Sequence, residues 1–197
     1  MATMPGELMM RHRLTVDDYH QMAESGILGP DDRVELIAGE ALDMSPIGSL
    51  LAALVAALSD YLSRLAAGRL TVWSQNPIHL SDSSEPRPDI ALVKPRPDFY
   101  AAAHPRPADT LLIIEVAESS LAYGLGIKVP LYARHGIPEV WVIDAATRTT
   151  HRFRGPRPEG YAEQDVLMPE APLACLALPG EAKSLAIILP LARPDEA

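Results

Sequence analysis

Thr110-Leu-Leu-Ile-Ile-Glu-Val116 carries four consecutive aliphatic residues followed directly by a carboxylate, Glu115. An uninterrupted apolar run of this length predicts a strand covered on both faces. Downstream, Gly126-Ile-Lys-Val-Pro-Leu-Tyr-Ala-Arg-His-Gly136 predicts a helix. Proline is tolerated only in a helix's first turn, so Pro130 puts the start near Gly126 or Ile127, and Gly136 ends it. Lys128, Leu131, Tyr132 and His135 then share one face. A second strand follows at Val140-Trp-Val-Ile-Asp144. Strand, helix, strand is the crossover that joins parallel neighbours, so the centre of the chain reads as α/β.

Upstream, Thr15 with Asp18 three residues later predicts an N-capped helix over Val16 to Glu24. Arg33 to Met44 alternates apolar and polar on both sides of Ala38-Gly39, which predicts a hairpin with Glu35 in its first strand. Leu51, Leu54, Val55, Leu58, Leu62 and Leu65 recur at spacings of three and four. They predict a core helix from Ile47 to about Ala67, closed at Gly68. Further strands are expected at Leu70–Trp73, Ile78–Leu80, Ile90–Val93 and Thr149–Phe153. Peripheral or edge strands are expected at Tyr161–Met168, Leu173–Leu178 and Leu185–Leu189. Pro95 to Pro107 reads as a mobile loop between core strands.

With 197 residues, 48% hydrophobic and 22% charged, the chain fits one folded domain over 14–190 with tails at 1–13 and 191–197. Cys175 is the sole cysteine, so disulfides and cysteine zinc sites are excluded, and a reducing, cytoplasmic setting is expected. No signal-peptide pattern opens the sequence. The longest apolar run, Leu50 to Leu58, stops well short of the roughly 20 residues that span a bilayer, so no membrane partner is expected. A net charge of −9 argues against binding nucleic acid through the overall field. Local basic clusters at Arg11/Arg13, Lys94/Arg96, Arg106 and Arg152/Arg154/Arg157 read as solvated surface or as a basic rim.

Glu115 follows four aliphatic residues, where a carboxylate is costly unless paired, protonated or bound to a cation. Asp89, opening the strand after Pro86-Arg87-Pro88, is the nearest acidic candidate, and Lys128 at the start of the next helix is the nearest base. Two readings stay open at this point: a structural ion-pair network, or a Mg²⁺ or Mn²⁺ site with oxygen ligands. No Gly-rich phosphate loop, Ser-His-Asp order or histidine pair for metal is present.

Glu85-Pro-Arg-Pro-Asp-Ile-Ala-Leu-Val93, Leu112-Ile-Ile-Glu-Val-Ala-Glu-Ser-Ser120 and Gly126 to Asp144 together resemble the Uma2 family of restriction-endonuclease-like proteins. The likeness extends to Thr15–Tyr19 and Arg33–Glu40, covering roughly residues 14 to 190. It implies an α/β PD-(D/E)xK nuclease fold: a mixed central sheet flanked by helices, with an added N-terminal helix and hairpin. It further implies metal-assisted phosphodiester hydrolysis with Mg²⁺ or Mn²⁺. Carried over by position, Asp89 and Glu115 are the motif acids and Glu35 the family's early glutamate. The Val116 carbonyl joins Glu35, Asp89 and Glu115 as metal ligands. Ala117 stands at the motif lysine, so the basic role passes to Lys128, assisting the attacking water. Leu51 replaces a histidine, and Gly124-Leu125 an Asp-Arg pair, of other members. DNA is the expected partner of an active copy, and a homodimer fits a two-strand cut. The alternative is a catalytically inactive fold serving as a binding or oligomerisation module.

Overall fold

The computed structural model describes residues 11–29, 31–180 and 182–189. The expected tails therefore fall outside the described residues, except for 11–13. Elements run α1 (Val16–Glu24), β1 (Val34–Ile37), β2 (Glu40–Asp43), α2 (Ser49–Ala66), β3 (Thr71–Ser74), β4 (Ile90–Val93) and β5 (Thr110–Ala117). They continue with α3 (Leu121–Tyr123), a π turn (Gly124–Lys128), α4 (Val129–Arg134), β6 (Glu139–Asp144), β7 (Thr150–Arg157), β8 (Gly160–Leu167) and α5 (Leu185–Ile188). Strands β3 to β8 form one six-stranded sheet in chain order, and β1 pairs with β2 separately. Only β5 and β6 run parallel, as the crossover between them requires. The architecture is the expected mixed sheet with an added N-terminal helix and hairpin.

Side-chain alternation along β5 sorts the core into two layers. Leu112, Ile114 and Val116 meet Leu54, Leu58 and Leu62 of α2, with Trp141 and Ile143 of β6 on the same side. Ile113 faces the opposite layer, with Val140, Val142, Leu131 and Tyr132. By length and composition α2 is apolar enough to cross a bilayer. Leu54, Leu58 and Leu62 are nevertheless fully buried against the sheet, so that apolarity serves the core. Glu115 falls on the Ile113 side and thus points toward α4.

Three sequence expectations are corrected. Ile78–Leu80 is not a strand: Ile78 N–H donates to Pro86 O at 2.9 Å and Leu80 N–H to Ser84 O at 3.0 Å. Pro86 and Pro88 have no N–H to return, so a two-way ladder cannot form. Leu173–Leu178 forms no strand: among the described residues it holds the isolated bridge Cys175 to Leu178, and its flanking Pro172 bridges Ser184. Leu185–Leu189 is helical over Leu185–Ile188, with Ser184 in extended N-cap geometry and Leu185 buried. Short apolar runs do not distinguish a strand from a buried helical turn.

The predicted second helix also begins earlier, at Leu121, and passes through the π turn before α4. Val129 N–H reaches back to Gly124 O across this turn. Pro130 cannot donate in α register, which favours the widened turn just before it. His135 caps the far end, its Nδ1 2.9 Å from Leu131 O. The loop from Pro95 to Pro107 is pinned by buried Tyr100, whose hydroxyl donates to Lys94 O at 2.7 Å.

Residues Ser84–Asp89 strap the hairpin to the sheet. Glu85 pairs its backbone with Leu36, and its buried carboxylate sits 2.7 Å from His20 Nε2 and 3.3 Å from His79 Nδ1. Two residues on, Arg87 N–H donates to Glu35 Oε2 at 3.1 Å. Two further on, Asp89 Oδ2 accepts Val116 N–H at 2.8 Å.

Candidate functional site

Strand register fixes the first pair of acids. Ile90 opposes Ile114 across antiparallel β4 and β5, so one step further Asp89 comes opposite Glu115. The crossover then brings the π turn over the same sheet face. Lys128, only 4% exposed, lies 3.2 Å from both Glu115 oxygens and 3.0 Å from Glu35 Oε2. Tyr132, one helical turn beyond Lys128, donates to Glu115 Oε1 at 2.5 Å. Glu35 arrives from β1, which the strap holds in place.

Charge is unbalanced here. Three carboxylates, Glu35, Asp89 and Glu115, surround one ammonium, with the Arg33 charge acting on Asp89. Burial chiefly pushes the Glu115 carboxyl up to about 7; Lys128 opposes this, while Asp89 and Glu35 add to it. Burial also raises Asp89 above the usual carboxylate range, against the Val116 N–H bond and the Lys128 charge. Burial alone would lower Lys128, but Glu115 and Glu35 outweigh it and the lysine is held above its ordinary value. The buried Glu139 makes the contrast. Arg154 Nε at 2.8 Å, Trp141 Nε1 at 2.9 Å and Leu176 N–H at 2.8 Å satisfy it one cation to one acid.

A cleft of about 360 Å³ opens on this centre, lined by Glu35, Asp89, Glu115, Val116 and Lys128. Thus all the expected site residues line one cavity. Leu51, at the position of the family histidine, lines it as well, while Gly124 is buried in the π turn. The arrangement also includes residues the sequence reading passed over. Tyr123 donates to Glu35 Oε1 at 3.4 Å. It stands five residues before Lys128; at α-helical pitch these would point apart, and the π turn alone brings them round. The Arg87 backbone bond to Glu35 leaves no trace in residue identity at all.

An all-oxygen set of carboxylates in charge excess suits a hard divalent cation. Among the described residues, no three His, Cys, Asp or Glu side chains are grouped as a metal site. Glu35 is engaged by Lys128, Tyr123 and the Arg87 backbone, and Glu115 by Lys128 and Tyr132. Mg²⁺ commonly takes only one or two protein carboxylates and keeps several waters, so the acids present are compatible with it.

Comparison with known proteins agrees with this architecture. No curated protein matches the chain. A solved structure from Anabaena variabilis ATCC 29413, titled "a putative nuclease belonging to DUF820", superposes with a TM-score of 0.69 at 14% identity. It covers 89% of this chain and 97% of its own. At that identity the likeness establishes the fold. The family model Uma2, described as "Putative restriction endonuclease", matches residues 16–189. By that match over nearly its whole length, the chain belongs to the Uma2 family.

Proposed function

We propose that the protein is a divalent-cation-dependent nuclease that hydrolyses phosphodiester bonds of nucleic acid in the Glu35–Asp89–Glu115–Lys128 cleft. The observation that carries this reading is the excess of buried carboxylate over cation at an open cavity, against the balanced pairing of Glu139. Family membership and the nuclease-like fold support it.

Asp89 and Glu115, with the Val116 carbonyl, would hold Mg²⁺ or Mn²⁺. Bound there, the ion would polarise a phosphoryl oxygen and acidify a water. Lys128, held between the Glu35 and Glu115 carboxylates, would stabilise charge gathering on the phosphate beside its expected part of assisting the attacking water. Glu35 positions Lys128, because it supplies the shortest contact to the ammonium, 3.0 Å, and is itself fixed by Tyr123 and the strap. Tyr132 fixes the Glu115 rotamer in the same way.

The test is cleavage of supercoiled plasmid by wild type and Asp89→Ala with Mn²⁺, with Mg²⁺ and with excess EDTA. Nicking is expected with metal and is lost in the variant. Calorimetric Mn²⁺ titration should show binding that disappears in Asp89→Ala and persists in Glu35→Gln, while cleavage by Glu35→Gln falls. A second reading, an inactive binding module, draws on the apolar Leu51 in the cleft and on Ala117 at the motif lysine. It requires that no Mn²⁺ binding depend on Asp89 and that no phosphodiester be cut.

A further inference from the structure

Beyond Asp89 the cleft continues into a second lobe of about 200 Å³. The two share Arg33, Met44, Ile47 and Asp89 as lining; the second adds Arg87, Gln75 and Asp32. Arginines without a carboxylate partner are common among the described residues, but of these only Arg33, Arg87 and Arg148 are also half-buried. Arg11, Arg13, Arg64, Arg96, Arg152 and Arg154 each meet a carboxylate. Among the described residues, Arg33 and Arg87 have no carboxylate within ion-pairing distance. Both are only half exposed. One Arg33 nitrogen, Nη1, is committed to Ser45 O at 2.8 Å, which anchors that guanidinium on the hairpin side. Arg87 rides on the strap whose next anchor is Asp89.

We propose that this lobe is a subsite for a non-reacting phosphate of the nucleic-acid backbone, gripped between Arg33 and Arg87. This rests on the nuclease reading and adds to it the residues that hold substrate. A partly desolvated guanidinium without an anion is unfavourable, and its planar fork matches phosphate oxygens. The lobe's own acids offset part of this charge, since the Arg33 charge acts on Asp89, but neither Asp32 nor Asp89 comes within ion-pairing distance of either guanidinium. Gln75 adds an amide to the lining: its backbone N–H donates to Asp89 O at 2.9 Å, and its backbone holds a left-handed φ of 52° rare outside glycine. Placing paired guanidinium groups beside an acid-rich centre also explains how a chain of net charge −9 could engage a polyanion locally.

The experiment is fluorescence anisotropy of a labelled DNA duplex in EDTA, at several salt concentrations. It compares wild type, Arg33→Ala, Arg87→Ala, Arg33→Lys and, as control, Arg157→Ala on the exposed end of β7. Each alanine substitution in the lobe should weaken binding on the order of tenfold and lower the salt slope by about one. Arg33→Lys should keep the slope yet bind more weakly, having lost the fork but not the charge. The control should match wild type. Unchanged affinity and slope in both Arg33→Ala and Arg87→Ala, beside a wild type that binds and cuts DNA, would sink the subsite and leave the nuclease reading standing. A wild type that neither binds nor cuts any DNA or RNA would overturn both. If Arg33→Ala does not fold, Arg87→Ala and Arg33→Lys carry the same test.

Discussion

Glu115 shows how one buried side chain can make stability depend on pH. Its folded-state carboxyl is raised from the ordinary 4.5 to about 7, mainly by burial. Between those values the folded protein binds more protons than the unfolded chain, so Glu115's contribution to stability declines as pH rises through that window. In metal-free protein, the stability of Glu115→Gln relative to wild type should therefore improve progressively from about pH 4.5 to pH 7. Urea unfolding at a series of pH values in EDTA measures this, and a constant difference would contradict it. A carboxylate after an aliphatic run demands a partner, so Glu115 stood out in the sequence with Asp89 and Lys128 as its candidates, whereas Glu35 was singled out only by the family resemblance. Tyr123 was not legible, since its contact depends on a turn that residue types do not announce.

At the scale of elements, the hairpin that carries Glu35 depends on its turn. Ala38 and Gly39 both adopt positive φ, 50° and 78°, the pairing expected of a tight two-residue connection between twisted strands. A Cβ on Gly39 would lie 2.8 Å from Arg13 Cβ and 3.2 Å from Leu14 O. Gly39→Ala should thus cost roughly 1–3 kcal/mol through strain and crowding. Thermal unfolding reads that loss, and an unchanged midpoint would show that the hairpin is not tied to the rest of the fold. The hairpin and α2 follow directly from periodicity. Ile78–Leu80 and Leu185–Leu189 do not, because a proline-blocked partner stops the first from forming a ladder and a short apolar run does not distinguish a strand from a buried helical turn in the second.

Across the whole molecule, stability rests on the two layers that sandwich the sheet. Leu58 is fully buried in the α2 layer among residues of β4, β5 and β6. Leu58→Ala should destabilise by about 2–5 kcal/mol, since the removed methyl groups leave a cavity that a sheet cannot close. Chemical denaturation gives the value, and a loss under 1 kcal/mol would mean that the helix can settle onto the sheet. The same packing serves the cleft, because β5 and the crossover must keep fixed positions for Lys128 to stay between Glu35 and Glu115.

By itself the sequence determined the α/β class, the central crossover and the core helix, because hydrophobic period and turn chemistry are local properties, and it marked Asp89, Glu115 and Lys128 as candidates. Only the tertiary structure decided that Glu35 braces Lys128, that Tyr132 and Tyr123 hold the two glutamates, and that Arg33 and Arg87 flank a continuous cleft. Those relations join residues up to 93 positions apart. They come from strand register, the widened turn ahead of Pro130 and a proline-rich strap, which set distances that no local pattern encodes.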